Sequence, residues 1–362
     1  MAATVQLDSA ELDSSVAYRE ALDRELNRFF REQCARARDY DESYVRLWDA
    51  LRAVSHGGKR IRSRLVHETY AALGGRNVGH ATAVGLAFEL LHTAFVIHDD
   101  IIDGDVLRRG QLNVTGQFLS HAQRDGLDYA TARHWAESSA LIGGDLMLTH
   151  AQRYLAVASI PEPVRRQLLD LFEYALYVTA AGEQADVSYS VRSPEELTLD
   201  NVITMATHKT AVYSFGAPLR AGVLLAGGSA DLAALVGDFG LMLGTAYQLR
   251  DDFLGLYGDS AVTGKSVLSD LRGGKNTPLM IFARGTDAWP LVEEMRHRED
   301  VDSSELAAVR TALDECGARA FLERLEAEHV ERADLLTLGE DMPAALGELL
   351  RSTMRSLAAR AA

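Results

Sequence analysis

Residues 81–103 read ATAVGLAFELLHTAFVIHDDIID. Its apolar residues recur at steps of three and four, which is the period of an α-helix. The stretch ends in Asp99, Asp100 and Asp103. A long apolar helix is therefore predicted to carry a group of carboxylates at its C-terminal end.

The same helical period extends over most of the chain. The segments that show it are 17–38, 60–73, 137–157, 163–182, 199–225, 230–257 and 303–332. Alternation with a period of two, which would indicate strands, is nearly absent, and only 7 prolines interrupt 362 residues. We therefore predict an all-α, single-domain bundle of long, mostly antiparallel helices. Residues 1–40 are expected to form a helical extension packed on a bundle of residues 41–362.

Charge and cysteine content narrow the class of partner. The 37 lysines and arginines against 52 aspartates and glutamates give a net charge of −15, which argues against nucleic acid or an anionic membrane as the main partner. Cys34 and Cys316 are far apart and in no metal or redox spacing, so a reducing compartment is expected. We find no signal-peptide pattern and no uninterrupted apolar run of about eighteen residues. A cytoplasmic protein without stable membrane insertion is expected.

The aspartates that end the 81–103 segment suit a hard metal ion. Asp99 and Asp103 share one helix face because they are four residues apart, and His92 lies on the same stripe. Like charges at this spacing destabilise a helix by about 0.2–0.5 kcal/mol, so a counter-cation is expected. Carboxylates without cysteine favour Mg²⁺ or Mn²⁺ over Zn²⁺. Taken alone, the motif fits a solvated acidic helix end equally well.

A second acidic helix favours the metal interpretation. Gln248, Asp251 and Asp252 are three and four residues apart on another apolar segment, so their side chains share a face. Paired aspartates on two separate apolar helices are poorly explained as solvent-exposed residues without a function. If these helices face each other across a bundle core, their carboxylates form one multi-metal cage.

Basic residues stand close in sequence to the acidic motifs. Residues 57–62, GGKRIR, join a flexible turn to a helix start, where free N–H groups and cations together suit a phosphate. The other candidate cations and their neighbours are Arg108, Arg109, Lys209 with Thr210, Lys265 and Lys275. Each alone is an ordinary solvated side chain, Lys265 above all. Together with two metal-type motifs they indicate recognition of two polyphosphate groups, one through Mg²⁺ and one directly.

The helix segment that precedes Asp99 is apolar and includes Leu91, Ala94 and Phe95. A phosphate-binding rim above a long apolar face suits an amphiphile with a diphosphate head and a hydrocarbon tail. Each of these apolar residues, taken singly, fits an ordinary core position better.

Together these segments resemble the trans-isoprenyl diphosphate synthases, or polyprenyl synthetases, and among them the short-chain geranylgeranyl and farnesyl diphosphate synthases. The matching segments, in the order that the family has them, are GGKRIRS (57–63), ELLHTAFVIHDDIIDGDVLRRG (89–110), LIGGDLML (141–148), AGEQAD (181–186), HKTAVYSFGAPLRAG (208–222), AYQLRDDFLGLYGD (246–259) and GKSVLSDLRGGK (264–275). The resemblance implies the helical isoprenoid synthase fold, with a central apolar cavity. It also implies a homodimer.

The resemblance further implies an activity: Mg²⁺-dependent ionisation of an allylic diphosphate, attack by isopentenyl diphosphate, and loss of a proton. The catalytic residues it implies are Asp99, Asp100, Asp103, Arg108, Lys209, Asp251 and Asp252. The ligands of three Mg²⁺ ions, with Mn²⁺ as a substitute, would be Asp99, Asp103, Asp251 and Asp252. The allylic diphosphate would contact Arg108, Lys209, Thr210, Gln248, Lys265 and Lys275. The diphosphate of isopentenyl diphosphate would contact Lys59, Arg62, His92 and Arg109.

Two positions depart from the family pattern. Gly255 stands where many relatives have a third aspartate, and we expect the metal site to survive with Asp251 and Asp252. Ser63 replaces the proline that commonly follows the basic segment, which should affect helix entry more than charge.

Product length in the family depends on side-chain bulk below the first aspartate motif. Phe95 lies four residues before Asp99, roughly 6 Å deeper along the helix axis, and should partly block the floor of the expected apolar cavity. Ala94 leaves room beside it, and Leu91 lies deeper still. We expect a C20 product, geranylgeranyl diphosphate, with C15 farnesyl diphosphate as the alternative.

Two other functions are compatible with the same helical scaffold. A class I terpene cyclase ionises a diphosphate but has no reason to hold a second one at Lys59, Arg62, His92 and Arg109. A non-catalytic regulatory subunit of a heteromeric synthase would not need both aspartate pairs.

Overall fold

Asn77 and Gly104 set the limits of the helix that carries the first aspartate motif. In the computed structural model this helix, α4, spans Val78–Ile102. The Asn77 side chain accepts a backbone N–H of the first turn and caps the helix. Gly104 takes φ 71°, and the N–H groups at the helix end bond back to carbonyls of the last turn in a Schellman motif. Asp103 is thereby held at the helix terminus.

The structure describes residues 9–192, 196–258, 271, 274–296, 298 and 300–358. The helices are α1 (Ser9–Ala37), α2 (Glu42–Ser55), α3 (Ile61–Ala72), α4, α5 (Val114–Arg124), α6 (Tyr129–Ala156), α7 (Glu162–Ser190), α8 (Leu199–Ala206), a π-helix (Thr207–Gly216), α9 (Ala217–Leu225), α10 (Ala230–Tyr257), α11 (Pro278–Ala283), α12 (Trp289–Met295), α13 (Ser303–Glu315), α14 (Ala318–Leu336) and α15 (Ala344–Ala358). Within these residues the only strands are β1 (Leu107–Arg108) and β2 (Gln111–Leu112), which pair with each other. The all-α prediction is confirmed.

The chain divides into two compact units. The first contains the described residues up to Val106, together with Leu112–Asp170 and Pro218–Ala233. In it, α4 packs against α1, α3 and α6, and α5 packs on α6. The expected boundary at residue 40 stays a prediction, although α1 belongs to this unit and contacts α2 and α4.

The second unit contains Leu107–Gln111, Leu171–Ala217 and the described residues from Ala234 onward. Its core joins the C-terminal part of α10 to α11, α13 and α14 through fully buried leucines such as Leu249, Leu313 and Leu322. This core supports the end of α10 that carries the second aspartate motif.

Some predicted helices are divided in the structure. The segment 199–225 forms α8, the π-helix and α9 in succession. The segment 303–332 breaks at Gly317, whose φ of 84° is unfavourable for other residues and separates α13 from α14. Helices α2, α5, α11 and α12 lie outside the predicted helical segments.

Two of the described helices, α4 and α10, are long and apolar enough to cross a membrane by length and mean hydropathy. In the folded protein 72% and 56% of their most apolar stretches are buried, as expected for core helices.

Candidate active site

The first aspartate motif divides its three carboxylates between the two sides of α4. Asp100 is almost fully buried, whereas Asp99 is half-buried and Asp103 is exposed. This separation follows from the rotation of about 100° per residue in a helix. Asp99 and Asp103 are therefore accessible to a ligand, and Asp100 lies in the interior of the first unit.

The accessible face of α4 continues below Asp99. His92 and Phe95 are half-buried like Asp99, while Leu91 and Ala94 are fully buried. α4 thus carries a half-buried histidine, aromatic ring and carboxylate at successive turns. The expected effect of Ala94 on product length stays a prediction.

The β1–β2 hairpin follows the first aspartate motif. Its two central residues, Arg109 and Gly110, have φ values of 53° and 71°. Positive φ at both central residues is typical of a type I′ turn, which favours tight two-residue hairpins. Arg109 is exposed at the tip and Arg108 is half-buried in β1.

In the second unit, a chain of hydrogen bonds connects the π-helix to the second aspartate motif. The Thr210 hydroxyl donates to Gln248 Oε1 at 3.0 Å, and Gln248 Nε2 donates to Asp252 Oδ1 at 2.8 Å. Asp251 is exposed and Asp252 is half-buried. The amide of Gln248 is thereby oriented, and the Asp252 carboxylate is held on the accessible face of α10.

Small residues allow the π-helix to approach α10 closely. A Cβ at Gly240 would lie 2.7 Å from backbone atoms of Gly216, and a Cβ at Gly244 would lie 2.6–2.7 Å from Ala211. A further hydrogen bond of 2.8 Å joins the hydroxyls of Thr207 and Thr245. Lys209 and Thr210 both lie in this π-helix.

Lys209 forms ion pairs with two carboxylates of α7. Its Nζ lies 3.0 Å from Glu183 and 2.6 Å from Asp186. A Cβ at Gly182 would lie 2.2 Å from the Lys209 backbone nitrogen, so glycine permits this approach of α7. Glu183 and Asp186 have no role assigned from the sequence: their spacing of three residues in the AGEQAD segment indicates a shared helix face, but not that Lys209 is their partner.

Lys59 lies in a tight turn that precedes α3, and Arg62 lies in the first turn of that helix. Gly57 and Gly58 have φ values of 81° and 84°, and Arg60 has φ 50°. All residues of the turn 57–60 except Lys59 therefore have a left-handed backbone conformation. Lys59 is exposed and Arg62 is half-buried. Arg60 makes an ion pair with Glu89 of α4, a residue that the sequence analysis also left without a role.

Lys275 is half-buried directly after Gly274, whose carbonyl accepts a hydrogen bond of 2.6 Å from Arg296. Lys265 lies outside the described residues. Within the residues that the structure describes, His, Cys, Asp and Glu side chains form no cluster of three or more able to hold a metal ion. Each aspartate motif by itself supplies two accessible carboxylates, which fits Mg²⁺, an ion that proteins bind through one or two carboxylates together with substrate phosphates.

Comparison with solved structures identifies the fold. A solved structure of geranylgeranyl pyrophosphate synthase from Corynebacterium glutamicum, complexed with isoprenyl diphosphate and magnesium, superposes with a TM-score of 0.85 at 25% identity, covering 95% of this chain and 98% of that one. The architecture is therefore the all-α isoprenoid synthase fold.

Sequence relatives identify the family. Geranylgeranyl diphosphate synthase of Sulfolobus acidocaldarius is 31% identical over 264 residues, which are 71% of this chain and 74% of the relative. A (2E,6E)-farnesyl diphosphate synthase of Mycobacterium bovis is 31% identical over 298 residues, 80% of this chain and 74% of the relative. The profile of the polyprenyl synthetase family matches residues 47–313. The chain belongs to the polyprenyl synthetase family, and it is a short-chain trans-prenyltransferase.

Proposed function

We propose that the protein condenses isopentenyl diphosphate with an allylic diphosphate and releases geranylgeranyl diphosphate. The observation that carries this proposal is the accessible face of α4, on which His92, Phe95 and Asp99 follow one another at successive turns. A face with a carboxylate rim and an aromatic floor suits a substrate with a charged head and an apolar tail.

The carboxylates of both aspartate motifs are proposed to bind Mg²⁺ together with the allylic diphosphate. The residues proposed as ligands of three Mg²⁺ ions are Asp99, Asp103, Asp251 and Asp252. When bound, the metal neutralises the charge that develops on the departing diphosphate. Asp100, being buried, would act by supporting the helix end rather than as a metal ligand.

Two sets of side chains would hold the two diphosphates. The allylic diphosphate is assigned to Arg108, Lys209, Thr210, Gln248, Lys265 and Lys275. The isopentenyl diphosphate is assigned to Lys59, Arg62, His92 and Arg109. In the proposed reaction the allylic C–O bond breaks, the new C–C bond forms and a proton is lost. Donors that ion pairs and hydrogen bonds already hold in place need no reorganisation during these steps.

The C20 product is proposed because Phe95 is the accessible bulky residue below Asp99, whereas Leu91 and Ala94 are packed in the core. A C15 product is the second candidate, because relatives named farnesyl diphosphate synthase match this chain at similar identity.

The purified protein should be incubated with isopentenyl diphosphate, Mg²⁺ and each allylic starter in turn, and the dephosphorylated products identified by mass. We expect geranylgeraniol and no product in the presence of EDTA. A cyclic hydrocarbon made from an allylic diphosphate alone would indicate a terpene cyclase. A complete lack of elongated prenol would contradict the proposal and favour a regulatory subunit.

We also propose a cytoplasmic homodimer. Leu141 and Ile142 lie side by side on α6 and are each 52% exposed, which is an apolar patch suited to a second copy of the chain. Light scattering on the wild type should give the dimer mass.

A further inference from the structure

We propose that Glu89 is a positioning residue that holds the Lys59–Arg62 turn in the geometry required by the diphosphate of isopentenyl diphosphate. The inference rests on the proposed function, because Lys59 and Arg62 are assigned there to that diphosphate. Glu89 itself would not touch the substrate; it would act through the turn.

The turn needs an external support. Arg60 precedes α3 with φ 50° and ψ 41°, the left-handed region that non-glycine residues rarely occupy, and its side chain makes no capping hydrogen bond to the helix. An uncapped helix start leaves backbone N–H groups without partners. Something other than the turn itself must stabilise this conformation.

Glu89, on the neighbouring helix α4, accepts a backbone N–H of the first turn of α3 and also holds the side chain of Arg60. Its Oε1 accepts the backbone N–H of Ser63, in the first turn of α3, at 3.2 Å. Its Oε2 accepts from the Arg60 guanidinium, also at 3.2 Å. A carboxylate at a helix N-terminus also interacts favourably with the helix dipole. Glu89 thus caps α3 from outside and fixes the strained residue before it.

This network is buried, so its parts depend on one another. The Glu89 and Arg60 side chains are only 5% and 14% exposed. Arg60 also donates to the Ser55 carbonyl at 2.8 Å. Removing one member of a buried ion pair leaves the other charged and uncompensated, which costs far more than losing an exposed pair.

Close packing fixes α3 against α4 at the same place. A Cβ at Gly85 would lie 2.9 Å from the Ser63 side chain, so glycine permits the contact. The Tyr18 hydroxyl donates to the Ser63 carbonyl at 2.9 Å. Burial and the nearby Glu89 charge raise the pKa of Tyr18 well above its usual value, so the hydroxyl stays protonated and remains a donor.

Ser63 matters because it departs from the family pattern. The proline common at this position has no N–H and could not donate to Glu89. In this chain the backbone N–H of Ser63 is an additional donor to the Glu89 carboxylate. Glu89 also lies three residues before His92 on α4, so one side chain joins the basic turn to the helix face that carries His92.

The test compares Glu89→Gln with wild type by steady-state kinetics for each substrate and by calorimetric binding of isopentenyl diphosphate in EDTA. The amide keeps an acceptor for Ser63 but presents a donor to Arg60. We expect KM and Kd for isopentenyl diphosphate to rise about tenfold or more, with KM for the allylic substrate within twofold. Glu42→Gln, which alters an exposed ion pair with Arg46, is the matched control.

Three further variants separate positioning from general destabilisation. Adding Arg60→Gln to Glu89→Gln removes both charges, so the double variant should bind no worse than Glu89→Gln alone. Ser63→Pro removes the N–H donor and also the hydroxyl that donates to the Arg60 carbonyl at 3.1 Å, whereas Ser63→Ala removes only the hydroxyl. KM for isopentenyl diphosphate should therefore rise several-fold in the proline variant but not in the alanine variant. This serine pair still tests the proposal if Glu89→Gln does not fold.

An unchanged KM for isopentenyl diphosphate in folded Glu89→Gln, or equal increases in KM for both substrates, would overturn the inference while leaving the proposed function intact. A wild-type protein that neither elongates a prenyl chain nor binds isopentenyl diphosphate would overturn both.

Discussion

Thr210 and Asp252 are joined through a single side chain, the amide of Gln248. The amide accepts from Thr210 at 3.0 Å and donates to Asp252 at 2.8 Å. Because the Thr210 bond fixes the amide orientation, it also fixes which atom of Gln248 faces Asp252. A residue of the π-helix therefore controls the hydrogen bonding of a proposed metal ligand.

Thr210→Val should loosen this chain of hydrogen bonds without changing the size of the side chain. We expect KM for the allylic substrate to rise several-fold, because one hydrogen bond contributes about 1 kcal/mol. Thr210→Ser keeps the hydroxyl and should behave like wild type. Equal kinetics for the valine and serine variants would show that the hydrogen bond has no role in substrate binding.

Lys209 is expected to have separable structural and catalytic roles. Lys209→Met should lower kcat by about 10²-fold or more, since a cation at the developing diphosphate charge is lost. It should also lower Tm, because Glu183 and Asp186 are left facing each other without their cation. Combining it with Glu183→Gln and Asp186→Asn should restore Tm but not kcat. Recovery of activity in the triple variant would remove Lys209 from the catalytic set.

Phe95→Ala should lengthen the product beyond C20, because it removes the accessible aromatic ring below Asp99. The matched variant is Leu91→Ala, which alters a fully buried residue on the same helix. It should lower stability by about 2–5 kcal/mol but leave product length unchanged. The products are compared by mass after dephosphorylation. A longer product from Leu91→Ala alone would place the floor at Leu91 instead.

Acid should destabilise the protein partly through His67. Burial lowers the pKa of His67 to about 4, below its value of 6.5 in the unfolded chain. Between these pH values the unfolded state binds more protons, so stability falls as pH decreases from 6.5 towards 4. His67 stacks on Tyr18 with ring centroids 4.0 Å apart, and His67→Phe keeps a ring there without a titrating group. The variant should lose less stability than wild type between pH 7.5 and 5 in denaturant titrations; an equal loss would exclude His67 as a source.

The long helices could be predicted from sequence because a three- and four-residue apolar period persists along them, as in α4 and α10. The π-helix could not, since the close approach of its residues to Gly240 and Gly244 is formed only by tertiary packing. Gly317 divides a continuous periodic segment, because its left-handed conformation depends on how α13 and α14 pack.

The candidate site was partly predictable for a similar reason. Aspartates on accessible faces form readable motifs, so Asp99 and Asp103 could be separated from Asp100 by helical spacing alone. Glu89 and Glu183 could not be recognised as partners of Arg60 and Lys209, because each pair lies 26 or more residues apart and is brought together only by packing.

We propose that both aspartate motifs serve one prenyl transfer. This proposal is tested most directly by measuring kcat of Asp99→Asn and Asp252→Asn separately, at saturating isopentenyl and allylic diphosphates and Mg²⁺. We predict that each variant loses about 10²-fold or more, because each removes a carboxylate that binds metal at the departing diphosphate. A near wild-type rate in either variant would contradict the claim.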